Sequence, residues 1–178
     1  MKKRRPAFGY LFEIVLFAML GSMMFALQLV MEALPNIHLT AMFVITFTVV
    51  FRWRALFPIY VYIVLIGVRW GFGLSWIPYL YVWTLLWGAA MLLPKNMSEK
   101  NAKIVYPATG FLHGIFFGTL YAPAHALLFG FSLRQTILWI IQGIPWDLVH
   151  AFGNLAACML VLPLVKLLRK LLKTVPRR

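Results

Sequence analysis

From Tyr10 to Met31 the chain runs for about 20 residues with one charged side chain, Glu13, which is long enough to cross a bilayer as a helix. Lipid offers the backbone no hydrogen-bond partners, and a helix satisfies all of its backbone bonds within the segment. The rest of the chain repeats the pattern. Hydrophobic residues make up 63% and charged residues 12%, against roughly 25% charged in soluble domains. The expectation is an all-α integral membrane protein, one compact bundle over residues 1–178 with no room for a second domain. The leading MKKRRP imitates a signal peptide, but the apolar run behind it is too long and lacks an A-x-A site. It reads as a retained first transmembrane helix.

Polar breaks divide the chain into six expected spans, 10–31, 39–51, 55–68, 77–93, 104–120 and 145–168. The breaks are EALPNIH (32–38), the Arg52-Trp53-Arg54 triplet, RWGFGLSW (69–76), PKNMSEKNAK (94–103) and YAPAHALLFGF (121–131). Pro123 and Gly130 interrupt the last of these. A short helix over 132–142 follows, with Ser132 as its N-cap. Gly143 and Pro145 then bend the chain into the final span.

Charge orients the bundle. The chain holds 17 Lys+Arg against 4 Asp+Glu. With the N-terminus inside, every basic residue except Arg69 and Arg134 falls in an inner segment. The positive-inside rule therefore places both termini in the cytoplasm of a multi-pass plasma-membrane protein. Basic residues at span ends report topology, so no nucleic-acid partner is expected. The single cysteine, Cys158, excludes an internal disulfide and reads as a buried thiol.

Two rows of small residues invite close helix approach. Ala18, Ser22 and Ala26 recur every four residues in the first span, and Gly110, Gly114 and Gly118 do so in the fifth. The first row serves either a contact inside the bundle or docking to a separate membrane subunit.

Polar chemistry is concentrated in GIPWDLVHAFGN (143–154). Asp147, His150 and Asn154 share one helical face at i, i+3 and i+7. A carboxylate at membrane depth faces a bundle interior or cavity. Asn36, His38, Trp70, Trp76, Tyr79, His125, Gln142, Trp146, Asp147 and His150 all map to the outer half. Such an aromatic lining with a few hydrogen-bonding groups suits a flat small molecule. His113, His125, His150 and Asp147 are residue types that ligate metals, but no HxxxH, HExxH or CxxC spacing accompanies them. No metal site or cofactor is expected. No GxSxG, no second intramembrane acid near Asp147 and no Gly-rich phosphate loop with Lys is present, so the chain does not read as an enzyme.

The stripe Ala18-xxx-Ser22-xxx-Ala26, the LPNIHLT stretch (34–40) and GIPWDLVHAFGN, in this order along six spans, resemble the substrate-binding S component of energy-coupling factor (ECF) vitamin transporters. The resemblance covers nearly the whole chain. It implies capture of a vitamin, precursor or similar organic micronutrient from outside. Delivery would follow association with a transmembrane T subunit and two cytoplasmic ATPases. By position it implicates Asn36, His38, Trp76, Tyr79, His125, Trp146, Asp147, His150 and Asn154 in substrate binding, and Ala18, Ser22 and Ala26 in docking. Family members specific for metals carry an N-terminal Met-His extension that is missing here, which implies an organic ligand. The alternatives are an autonomous small transporter or channel, and a membrane enzyme or assembly scaffold.

Overall fold

The computed structural model describes residues 7–174; the MKKRRP segment and the last four residues, on which part of the charge-based topology rests, lie outside the described residues. The described residues are all helical or looped. The helices are α1 (Ala7–Val30), α2 (Thr40–Phe51), α3 (Leu56–Trp70), α4 (Tyr79–Leu92), α5 (Glu99–Ile115), α6 (Phe117–Phe129), α7 (Leu133–Cys158) and α8 (Val161–Thr174).

Three segments are long and apolar enough to cross a membrane: Tyr10–Ala33, Thr40–Trp70 and Glu99–Phe129. The pair α7 and α8, bent by 44°, makes a fourth. Thr40–Trp70 is not one rod. Thr40 Oγ1 lies 3.2 Å from the Tyr62 hydroxyl, whereas a continuous helix would hold these residues about 33 Å apart. The chain reverses at Arg52, which adopts φ 57°, uncommon for a residue with a side chain. Its guanidinium donates to the Met91 carbonyl at 2.5 Å and the Leu93 carbonyl at 3.3 Å. Its own carbonyl accepts from Trp87 Nε1 at 3.3 Å. These three bonds to α4 and its end hold the strained turn.

Successive helices or helix pairs alternate in direction: α1, α3 and α5–α6 run from a basic end towards the opposite end, and α2, α4 and α7–α8 return. At the basic end Arg54 pairs with Glu13 at 2.8 Å, Lys166 with Glu99 at 2.5 Å, and Arg169 donates to the Lys95 carbonyl at 3.0 Å. The breaks expected on one side thus do converge.

The centre is α2, whose residues Thr40–Val49 are all buried. It touches α1, α4, α5, α7 and α8, which is why it is apolar on every side. Lipid drives no hydrophobic association between helices, so close packing must do more of the work. The glycine row of α5–α6 supplies it. A Cβ at Gly114 would stand 2.5 Å from Ala151 Cα, and one at Gly118 would stand 2.6 Å from Asp147 Oδ2. On α1, Gly21 makes the equivalent approach to α3, where a Cβ would meet the Pro58 carbonyl at 2.7 Å. The Ala18, Ser22 and Ala26 row is exposed on the opposite side of α1.

The second half differs from the expected spans. The 104–120 span corresponds to α5, which starts at Glu99, and α6, joined at Phe116. The expected break over 121–131 is confined to its end: α6 carries Pro123 within it and stops at Gly130, a left-handed C-cap with φ 68°. Ser132 caps α7 in a reciprocal capping box with Gln135, as its position predicts. The helix then runs unbroken to Cys158, so 132–142 and the first part of 145–168 are one element. Pro145 lies inside α7 on its exposed side and does not interrupt it. The bend comes at Met159–Leu160. Pro163 accounts for it, because a proline ring clashes with the carbonyl four residues back, here that of Met159.

Candidate functional site

At the end opposite the basic one, a cavity of about 350 Å³ opens between α1, α3, α4, α6, α7 and two connections. Rows of residues one helical turn apart build its walls. Tyr62, Ile66 and Trp70 come from α3, Tyr79 and Trp83 from α4, and Phe117 and Tyr121 from α6. Gln28 of α1 and His150 of α7 complete the helical lining. Asn36 and His38 enter from the loop after α1, and Gly71, Ser75 and Trp76 from the loop after α3.

The first loop reaches inward. Asn36 turns it with φ 58°, a conformation asparagine tolerates better than most residues. Ile37 then packs over Gly153 of α7, where a Cβ would stand 3.5 Å from its Cγ2. His38 follows, with its ring 4.4 Å from that of His150 and 5.6 Å from that of Trp83. Burial, and next the nearby His113, push the His38 imidazole down to about 4, with a backbone hydrogen bond opposing. It is neutral at physiological pH.

Some polar groups of the lining are already engaged. Thr40 donates to Gln28 Oε1 at 3.3 Å and shares a hydrogen bond with Tyr62. Trp76 Nε1 donates to the Ile63 carbonyl at 2.8 Å, so Trp76 offers the cavity only its ring. The Tyr121 hydroxyl donates to the Ser75 carbonyl and ties α6 to the second loop. Others have no partner: His38 Nδ1, Trp83 Nε1 and His150 Nε2. His113, behind Trp83 at 5.3 Å between rings, sits 3.3 Å from the Val82 carbonyl through Nε2.

Asn36, His38, Trp76, Tyr79 and His150 are therefore brought together at one cavity. The remaining expected binding residues do not line it. Trp146 points outward at 58% exposure. His125 belongs to an aromatic cluster nearer the α6–α7 turn, with its ring 4.4 Å from Phe129 and 4.9 Å from Trp139. Asp147 is buried, at 8% exposure, and its Oδ1 accepts from the Gly118 amide at 3.0 Å. That amide sits at the start of α6, where the interruption at Phe116 leaves N–H groups without helical acceptors, and an anion is favoured there. Asn154 Nδ2 donates to the Gly110 carbonyl at 3.2 Å. Both polar side chains thus fasten the glycine row of α5–α6 to α7.

Sequence reasoning missed Gln28, Tyr62, Ile66, Gly71, Ser75, Trp83, Phe117 and Tyr121, and it gave Trp70 a place in the outer half without a binding role. The spacing of aromatic residues four apart, at Tyr79 and Trp83 and at Phe117 and Tyr121, is the signal that points to them.

Among the described residues no three His, Cys, Asp or Glu side chains converge as a metal ion requires. Comparison with protein-family models, curated proteins and solved structures finds no match for the chain.

Proposed function

We propose that the chain is the substrate-capture subunit, or S component, of an ECF-type importer. In this reading it binds a vitamin-like organic molecule from outside and delivers it by associating with a transmembrane T subunit and two ATPases. The observation that carries the reading is the aromatic cavity at the end away from the basic charges, with buried ring nitrogens that lack protein partners. The alternating passes act as six spans with both termini cytoplasmic, which sets the cavity on the outer side. The inward loop at His38 suits this setting, since irregular backbone at membrane depth is tolerated where it is buried or lines a cavity.

A channel is disfavoured by the core beneath the cavity. Phe47, Leu86 and Ala90, on the stretches of α2 and α4 that lead towards Arg52, are buried with almost no accessible surface to line a pore. The volume favours a compact ring system over a corrinoid. The exposed Ala18-Ser22-Ala26 row supplies the surface for the T subunit. Purification from a vitamin-rich medium followed by mass spectrometry tests the reading. One small organic molecule retained in near-stoichiometric amount is expected. No bound molecule from any medium overturns it.

A further inference from the structure

Resting on the capture reading, we propose that the cavity takes an uncharged, planar heteroaromatic molecule whose ring edge meets Trp83, His38 and His150. Two independent observations lead there. The first is electrostatic. No side chain lining the cavity carries a formal charge at neutral pH, and no acid lines it. Glu13 pairs with Arg54, Glu99 with Lys166, and Asp147 holds the Gly118 amide. Glu32 stands on the exposed turn Met31–Ala33. The outlying basic residues also lie outside. Arg69 is exposed and rests over the Trp70 ring at 5.2 Å, and Arg134 is exposed at the start of α7. A ligand charge buried here would lose its hydration without gaining a counter-charge, which is strongly unfavourable.

The second observation is hydrogen bonding. Native interiors leave few buried polar atoms unpartnered. Here three of them belong to rings packed together at the cavity wall, where the nitrogens themselves are covered, so a ligand engages them as the His38 ring gives way on its loop. Trp83 is 1% exposed and His150 3% exposed. Trp83 Nε1 only donates, so it requires an acceptor, while the imidazole nitrogens accept or donate by tautomer. A heteroaromatic edge presents such acceptors and donors in one plane. Its faces find flat neighbours, since Tyr79, Trp83, Phe117 and Tyr121 all border the cavity. The volume of about 350 Å³ holds a small ring system.

The test is calorimetric titration of the purified full chain with pairs that share a ring system and differ in charge, beside mass spectrometry of whatever co-purifies. The pairs are nicotinamide with nicotinate, pterin with pterin-6-carboxylate, and riboflavin with riboflavin 5′-phosphate. The co-purified molecule, and any pair member that binds, is expected to be uncharged, and at least ~10-fold tighter than its charged counterpart, as uncompensated burial of charge requires. Trp83→Phe removes the indole N–H and is expected to weaken that binding ~10-fold; His38→Gln, on a loop, gives the same readout if the core variant does not fold. A charged molecule that co-purifies, or a charged member that binds as well as its neutral counterpart, overturns the inference and leaves capture standing. If nothing co-purifies and none of the six compounds binds, the capture reading falls and the inference with it.

Discussion

Helix α7 presents Asp147, His150 and Asn154 on one face, and they meet different surroundings. Asp147 and Asn154 lie in the seam with α5–α6, where glycines expose backbone groups that satisfy them at 3.0 Å and 3.2 Å. His150, between them, projects instead to Phe117 and His38, and its Nε2 has no protein partner. The difference separates two uses of polar residues in an apolar bundle. A buried polar atom matched to backbone holds helices together, while one left unmatched at a cavity is available to a ligand. Seam and floor are predicted to respond oppositely to mutation: the first loses stability and keeps affinity, the second does the reverse.

The largest effect is expected at the seam. Gly114→Val places a side chain against the backbone of Ala151, which cannot yield as a flexible side chain would. A loss of about 3 kcal/mol or more, at the upper end of overpacking effects, is expected in denaturant unfolding. Asp147→Ala leaves the buried Gly118 amide without an acceptor, and a loss of roughly 1–3 kcal/mol is expected. Asp147→Asn keeps an acceptor oxygen, so most of that stability should return and ligand affinity should stay within about twofold. Equal stability of the Ala variant and wild type would remove Asp147 from the seam.

At the floor, His38→Phe replaces a buried imidazole whose Nδ1 lacks a partner with an apolar ring. Thermal stability is expected to hold or rise while ligand affinity falls by about tenfold, or ~1.4 kcal/mol. A stability loss without an affinity loss would make His38 a structural residue. The pH dependence sharpens the same point. The unfolded His38 takes its proton near 6.5, but the folded one only near 4. Between these values the unfolded state binds more protons, so stability falls as pH drops through that window and is retained above it. His38→Phe should make this slope shallower, measured by unfolding midpoints from pH 7 to pH 4. The smallest effect on the isolated protein is expected from Ser22→Trp, on the exposed row of α1. Stability and affinity should not change, whereas assembly with a T subunit should be blocked in a pull-down.

The gathering of the basic breaks at one end was legible because charge at helix ends is a strong signal, and that end assembles from Arg52, Arg54, Lys95 and Lys166. The Ser132 cap was legible for a local reason, since it depends only on Gln135 three residues on. The course of α6 and α7 was not, because a proline signal is local and packing decides whether a helix survives it. Pro123 and Pro145 are carried within helices, whereas the chain bends ahead of Pro163.

The site was half legible. His38 and Asn36 stood out as polar residues in a loop, and Tyr79, Trp76 and His150 as polar or aromatic groups near an outer end. Trp83, Tyr62 and Phe117 did not, because helices such as α4 are apolar all round and no amphipathic stripe shows which side faces in, so the four-residue spacing of Trp83 from Tyr79 and of Phe117 from Tyr121 was the one trace they left. Asp147 and Asn154 were assigned to the site because backbone partners such as Gly118 N–H and Gly110 C=O leave no trace in residue pattern.

The separation of seam from floor is tested most directly by titrating the co-purified molecule into wild type, Asp147→Asn and His38→Phe under one set of conditions. The account predicts that Asp147→Asn binds within about twofold of wild type and that His38→Phe binds about tenfold more weakly or worse. Loss of binding in Asp147→Asn with retention in His38→Phe would place the ligand at the seam and contradict it.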